Sequence, residues 1–161
     1  MRRAITQIRR RSERCTTAVI VVVALLFGAC GGPELGPEEQ LHQWVNAAQA
    51  AAEAKQRRAM LDLISPAYVD GRGFDRDDIG ELLRLYFFRQ NSVSLLASID
   101  DIRLYGDSAA EIDLTVGMAG RNNGAFGFSA DAYNFQLELE RDGDEWLLIA
   151  ARWGELGEGL H

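Results

Sequence analysis

Histidine and cysteine, the side chains most often used as general bases, nucleophiles and transition-metal ligands, are scarce in this chain of 161 residues. It has two histidines, His42 and His161, and two cysteines, Cys15 and Cys30. One histidine falls in the first predicted helix and the other at the terminus, so a histidine-based dyad or a multi-histidine metal site lacks material. We therefore expect His42 to be a surface or groove residue, and we expect no metal and no cofactor. No catalytic sequence motif is recognisable.

An acidic run at residues 75–78 raises the question of a calcium loop. Asp75, Asp77 and Asp78 lie within four consecutive positions. A calcium loop needs further oxygen ligands at later positions, and the sequence does not supply them. The run is better explained as the start of a helix, with Asp75 as the N-cap and Asp78 as its return partner.

Cys30 ends a leader that has three parts. Six arginines lie in the first 14 residues, residues 18–27 are apolar, and the small residues Gly28 and Ala29 precede the cysteine. This order resembles a bacterial lipoprotein signal, which implies cleavage before Cys30 and attachment of lipid, including palmitate, to that residue. As a helix the apolar run would span roughly 15 Å, half of a bilayer core of about 30 Å. It therefore predicts export rather than a membrane span.

Removal of this leader would leave a strongly acidic protein. The full chain has 17 basic and 24 acidic side chains; without six arginines and Glu13 there remain 11 and 23, a net charge of −12. Nucleic acids and anionic headgroups require clustered Lys and Arg, so we expect no nucleic-acid partner and attachment to the membrane through the lipid. With Cys15 removed and Cys30 acylated, no thiol remains for a disulfide.

The chain divides into four predicted regions. A signal peptide at 1–29 precedes a flexible tether at 30–37, one domain at 38–154 and a C-terminal tail at 155–161. Residues 31–37 contain three Gly and two Pro, a composition that neither propagates a helix nor packs. The domain is long enough to bury roughly two-thirds of its unfolded surface without a second domain.

The first half of this domain is predicted to be helical. Apolar residues recur at helical spacing over residues 38–55 and, in a shorter helix, over residues 56–64. Pro66 stops the second helix. A third helix begins after Asp75 and carries an apolar stripe that reaches Tyr86.

After Asn91 the apolar period changes from that of a helix to two, the period of a half-buried strand. The first strand is either one long segment or two segments broken at Asp100–Asp101, and residues 141–144 form a hairpin turn. The predicted strands cover residues 92–105, 110–118, 133–140 and 145–153. Helices followed by antiparallel strands indicate an α+β fold, with the helices packed on one face of the sheet.

This order of elements resembles the nuclear transport factor 2-like superfamily. The matching features are the aromatic-bearing first helix around Trp44, the segment 63–68, the third helix and the closing hairpin 133–153. The resemblance covers residues 39–153 and implies a cone-shaped, curved antiparallel sheet wrapped around about three N-terminal helices. Members include isomerases, dehydratases, epoxide hydrolases, polyketide cyclases and non-catalytic binding domains, so this fold does not specify a function.

In folds of this superfamily the mouth of the cone holds ligands. The resemblance therefore implies a pocket drawn from Trp44, Tyr68, Asp70, Arg72, Tyr86, Arg89, Tyr133 and Trp153. Asp70 could act as a general base, with Tyr68 or Tyr86 as the proton donor. We favour the other interpretation, in which residues 70–73 form an ordinary turn and the tyrosines are core rings with solvated hydroxyls.

Two further features remain open. An Asp-Arg-Asp set, as in the superfamily's epoxide hydrolases, could be assembled from Asp113, Arg89 and Asp131, although their spacing matches no motif. The glycine-rich segment 120–128 contains two phenylalanines. It is predicted to be either a mobile flap over the mouth, a partner contact, or simply a loop.

Three functions follow from these features. The preferred one is a non-catalytic binding module for a small apolar ligand or a partner protein; the alternative is an isomerase- or hydrolase-type enzyme that uses Asp70 and Tyr86. The third is an assembly protein that forms a homodimer through the outer face of the sheet. That face carries like charges, which argue against the third function; they belong to Glu111, Asp113, Glu138 and Glu140.

The predicted location is the cell envelope. Gly31 follows the lipidated cysteine, where lipoproteins retained at the inner membrane commonly have an aspartate. In a host with two membranes, we therefore expect the periplasmic face of the outer membrane.

Overall fold

Three helices precede four strands in the computed structural model, which describes residues 35–121 and 128–161. The helices are α1 (Pro37–Glu53), α2 (Arg57–Asp62) and α3 (Arg76–Arg89). The predicted leader, Cys30 and most of the predicted tether lie outside the described residues. In the part described, no helix combines the length and apolar character needed to cross a bilayer.

The ends of α1 and α3 follow from local chemistry. Pro37 occupies the first turn of α1, where its missing N–H costs no hydrogen bond, and two glutamates follow it. At the start of α3, the Asp75 carboxylate accepts hydrogen bonds from the backbone N–H of Asp77 and Asp78 at 2.9 and 3.0 Å. The Asp78 carboxylate accepts from the Asp75 N–H at 3.2 Å. The predicted capping box is confirmed, and it accounts for the acidic run.

The strands are β1 (Ser92–Tyr105), β2 (Ala109–Arg121), β3 (Phe128–Asp142) and β4 (Glu145–Glu155). They form one antiparallel sheet in the order β1-β2-β3-β4. The α+β prediction, with a curved sheet wrapped around three helices, is confirmed. The alternative of two strands at residues 92–105 was wrong, because the chain passes Asp100–Asp101 through a single bulge between Ile99 and Asp101.

The strands β2 and β3 extend further than their alternation predicted. They pair from Ala109 opposite Glu140 as far as Arg121 opposite Phe128. The predicted loop at 120–128 was therefore too long at both ends, since backbone pairing continues past the last clear apolar alternation. Residues 122–127, which include one of the two phenylalanines, lie outside the described residues.

A packed core fills one end of the space between α1 and the sheet. Its most deeply buried side chains are Leu41, Ile112 and Leu139. There the Trp146 indole N–H donates to the Gln40 side-chain oxygen at 3.0 Å, which ties β4 to the first turns of α1. The other end of this space is less filled, and it contains the candidate site.

The C-terminal residues fold back along β4. The backbone groups of Trp153 and His161 exchange two hydrogen bonds of 3.2 Å each. Two glycines permit this close approach: a Cβ on Gly71 would lie 2.3 Å from the His161 carbonyl carbon, and one on Gly154 would lie 2.5 Å from the Gly159 oxygen. The tail beyond β4 is thereby held against the edge of the sheet.

Candidate functional site

A cavity of about 470 Å³ lies between α1, α3 and the inner face of the sheet. Strands β1 to β4 supply alternate residues to its wall, for example Val93 and Leu95 from β1 and Leu114 and Val116 from β2. None of the described residues that line it carries a charge. Its polar groups are the Gln49 amide, two indoles and three tyrosine hydroxyls. The amide is already engaged, because it donates to the Leu95 carbonyl at 3.0 Å.

The cavity brings together five of the residues that the resemblance implied. Trp44 comes from α1, Tyr68 from the segment before α3, Tyr86 from α3, and the pair Tyr133 and Trp153 from β3 and β4. The other three implied residues, Asp70, Arg72 and Arg89, are not among the residues that line it.

One wall of the cavity is a cluster of three aromatic rings. Phe135 and Trp153 stack with ring centroids 6.2 Å apart and planes at 21°. Tyr133 meets the Trp153 ring edge-on at 6.0 Å. The Arg72 guanidinium lies 3.7 Å from the centroid of the Trp153 ring, a cation–π contact. Arg72 is not among the residues that line the cavity, so this contact supports the indole without adding a charge to the lining.

Tyr68 is the most buried tyrosine of the site, with 3% of its surface exposed. Burial, and secondarily the nearby Asp70 carboxylate, raise the pKa of its hydroxyl well above the ordinary value of 10.0. Among the described residues, no group hydrogen-bonds to this hydroxyl. Tyr68 therefore presents a neutral donor that stays protonated throughout the physiological pH range.

Tyr86 and Tyr133 form a second polar point, near Asp131. Burial is the first cause of the raised pKa of each hydroxyl, and the Asp131 carboxylate is the second. Glu155 raises the pKa of Tyr133 further, whereas Arg72 lowers it. This end of the site therefore has two carboxylates and one guanidinium nearby, outside the uncharged lining of the cavity.

Asp70 is buried but serves the turn that follows it. One carboxylate oxygen accepts from the backbone N–H of Arg72 and of Phe74, both at 2.8 Å. The other oxygen is buried and has no hydrogen-bond partner in the described structure. The Asp70 carboxylate thus closes a local turn between the segment before α3 and its N-cap.

The three residues of the Asp-Arg-Asp set occupy different places. Asp113 alternates with the inward-facing Ile112 and Leu114, so it lies on the outer face, where it pairs with Arg103 at 2.9 Å. Arg89 is the last residue of α3 and is exposed. Asp131 is an exposed residue of β3 near Tyr133.

The outer face is less like-charged than its acidic residues alone suggest. Glu111 stands directly opposite Glu138 in the register of β2 and β3. Arg103 pairs with Glu111 at 2.6 Å and also with Asp101 and Asp113. These contacts raise the pKa of the Arg103 guanidinium and offset much of the local repulsion.

His42 is exposed on α1. No group of three potential metal ligands occurs within residues 35–121 and 128–161.

Sequence reasoning missed most of the apolar lining. Ile79, Leu83 and Phe87 from α3, and Met118 and Phe135 from the sheet, complete the wall. The alternation of apolar and polar residues along each strand predicts which side chains point to the inner face. It does not distinguish the inner-face side chains that pack against another side chain from those that line a cavity. The one available signal was α3, which carries more large apolar side chains than one packed face requires.

Solved structures with the same fold come from several bacteria. A scytalone dehydratase-like protein from Novosphingobium aromaticivorans superposes with a TM-score of 0.68 at 10% sequence identity, covering 73% of this chain and 83% of its own. A ketosteroid isomerase-like protein from Erwinia carotovora atroseptica gives 0.61 at 12% identity, covering 76% and 100%. A nuclear transport factor 2-like superfamily protein from Salmonella enterica gives 0.62 at 14% identity, covering 75% and 95%.

These similarities show that the chain has the nuclear transport factor 2-like cone fold. At such low sequence identity they carry no information about its activity. The sequence matches no protein-family model, and no curated protein is significantly similar to it. What the site can bind or catalyse must therefore be argued from the residues that form it.

Proposed function

We propose that this chain is a lipid-anchored envelope protein whose domain binds a small, neutral, apolar ligand without transforming it. The observation that carries the proposal is the cavity of about 470 Å³ with an uncharged lining. A volume of this size falls in the range of small-molecule sites, about 300–1,000 Å³, which are typically apolar with a few polar groups.

The polar groups favour a ligand with neutral oxygen atoms. The hydroxyls of Tyr68, Tyr86 and Tyr133 are unpartnered within the described structure and protonated at neutral pH. A carbonyl, ether or hydroxyl oxygen of a ligand would accept from them. A carboxylate or phosphate would instead lose its hydration in a cavity whose described lining carries no charge to pair with it.

The absence of an acid/base pair from the described lining supports binding rather than catalysis. A general base must reach the substrate, either directly or through one water. The Asp70 carboxylate does not line the cavity, and one of its oxygens accepts from two backbone N–H groups of its own turn. The enzymatic alternative, which uses Asp70 with Tyr86, would require Asp70 to reach a substrate that it does not face in this structure.

The ligand-binding part can be tested with a neutral fluorescent probe, N-phenyl-1-naphthylamine, added to residues 36–161. Ala97 lines the cavity, whereas its neighbour Ser98 is exposed on the opposite face of β1. We expect Ala97→Phe to weaken binding at least tenfold, because the new ring occupies the space of the ligand. Ser98→Phe should leave the affinity unchanged. Equal affinities in both variants, with native circular dichroism, would exclude the cavity as the binding site.

The anchor has its own test. Cells grown with a labelled fatty acid should incorporate label into the wild-type chain and into Cys15→Ser, but not into Cys30→Ser. The Cys30 variant should also leave the membrane fraction, since the tether then carries no acyl chains. Label that survives in Cys30→Ser would disprove the anchor without affecting the ligand proposal.

A further inference from the structure

The helix α3 presents apolar side chains on two faces. One face lines the cavity through Ile79, Leu83 and Phe87. On the other side, Leu85 and Phe88 are three positions apart, so they are neighbours on the helix surface. Phe88 is 88% exposed and Leu85 is 45% exposed. Exposed aromatic and aliphatic neighbours of this kind mark an interaction surface.

Basic side chains surround these two residues. Arg84 and Arg89 adjoin them on α3, and both are exposed. The Lys55 ammonium donates to the Gln90 carbonyl at 3.1 Å, which places it at the C-terminal end of α3. Arg57 donates to the Gly80 carbonyl at 2.8 Å. The nearby corner between α1 and α2 is thus joined to α3 by basic residues.

This basic cluster stands out in an acidic chain. Of the 11 basic side chains that follow the predicted leader, four belong to it. They are Lys55, Arg57, Arg84 and Arg89. Glu81 is the acidic residue among their contacts, 2.6 Å from Arg84 and 3.8 Å from Arg57. The cluster therefore keeps a net positive charge, a local feature that the net charge of −12 conceals.

We infer that Leu85 and Phe88, with this basic cluster, form a docking surface for an anionic lipid bilayer. The apolar side chains would enter the headgroup region while the guanidinium and ammonium groups pair with lipid phosphates. Charge complementarity favours this occupant over a second copy of the chain, because self-association would bring two positive clusters together. The acidic remainder of the domain would be repelled by the same bilayer, which fixes the orientation.

The orientation can be measured on the full chain reconstituted into phospholipid vesicles. The variant Phe88→Trp places a fluorophore in the docking surface. Its matched control is Leu96→Trp, because Leu96 is also apolar and 74% exposed but belongs to β1. Phospholipids brominated on the acyl chains quench only an indole that enters the bilayer. The leader is identical in both variants, so its own binding to the vesicles cancels.

With 30% phosphatidylglycerol in phosphatidylcholine, we expect at least twofold stronger quenching of Phe88→Trp than of Leu96→Trp, relative to the unsubstituted chain. The difference should disappear in pure phosphatidylcholine or in 0.5 M salt. In the first case the anionic headgroups are missing, and in the second salt screens their attraction to the exposed basic side chains. Adding Arg84→Gln and Arg89→Gln to Phe88→Trp should also remove it. The control pair Arg141→Gln and Arg152→Gln, on the sheet, should not.

Two results would overturn the inference. Equal quenching of Phe88→Trp and Leu96→Trp would show that α3 does not dock. So would a difference between them that is the same in anionic and in neutral vesicles. Alternatively, a dimer in sedimentation that Phe88→Asp dissociates would assign the surface to a second copy of the chain. Neither result depends on the ligand proposal, since Leu85 and Phe88 do not line the cavity.

Discussion

At the scale of single residues, the Tyr68 hydroxyl shows how a mostly buried side chain can keep its polar end accessible. Only 3% of the Tyr68 surface is exposed, and no described residue hydrogen-bonds to its hydroxyl. The hydroxyl is nevertheless not among the fully buried polar atoms that lack a partner. It lies at the cavity wall, so its removal should change the stability of the folded state little.

A pair of Tyr68 variants tests this point. Tyr68→Phe removes only the hydroxyl, so the free energy of unfolding at pH 7 should stay within about 0.5 kcal/mol of wild type or rise slightly. Tyr68→Ala removes the buried ring and should cost about 3–5 kcal/mol, as large aromatic truncations do. Denaturant titration measures both. A large loss in Tyr68→Phe would reveal a structural hydrogen bond for the hydroxyl.

The same residue predicts a dependence on alkaline pH. Burial raises the pKa of the Tyr68 hydroxyl in the folded state above the unfolded value of 10.0. Above pH 10 the unfolded chain therefore loses this proton while the folded chain keeps it, and the stability must fall as the pH rises. We expect a shallower fall between pH 10 and 11.5 for Tyr68→Phe than for wild type. Parallel curves would mean that Tyr68 ionises normally.

At the scale of secondary-structure elements, α3 differs from the rest of the fold. Its direct packing partner is α2, and the cavity separates it from much of the sheet. Elements with few buried contacts open at lower free energies than the core. We therefore expect α3 to open more readily than the sheet.

Hydrogen exchange on the Asp75→Ala variant tests whether α3 opens separately from the sheet. Loss of the capping box should weaken the helix by about 0.5–2 kcal/mol. We expect faster amide exchange in α3 and unchanged protection in β2, whose amides pair with both neighbouring strands. Glu145→Ala, an exposed substitution at the start of β4, should leave both elements unaffected. If β2 also lost protection, α3 and the sheet would open as one unit.

The sequence predicts those features of the elements that local signals determine, and it fails where pairing or packing with another element decides. Local signals are strong where a cap or an alternation acts alone: the Asp75 cap and the strands after Asn91 were predicted from a few residues each. The bulge at Ile99 and Asp101 depends on pairing with β2, which a single segment does not encode. The cavity is harder to predict still, because it is a volume that four strands and three helices leave unfilled. Asp70 illustrates this limit, since its type suggests a base while its neighbours make it a turn residue.

At the scale of the whole molecule, charge is distributed unevenly. Arg103 pairs with three acidic side chains of the outer face, whereas four basic side chains lie on or next to α3. In the docking proposal, this uneven distribution selects the orientation in which an otherwise acidic domain would approach an anionic surface. Lipid attachment at Cys30 and docking through α3 would then act together, since two weak signals are needed for stable anchoring.

Residues 36–161 should fold without the residues that precede them. Residues 36–161 form a compact unit in the structure, and both cysteines precede it in the sequence. One core joins the sheet to α1, so this fragment should unfold in a single transition with a free energy of about 5–15 kcal/mol. Far-ultraviolet circular dichroism and tryptophan fluorescence should give coincident curves, and a reducing agent should not shift them. Separate transitions would show that the helices and the sheet are stabilised independently, in which case the cavity between them could not persist as a preformed site.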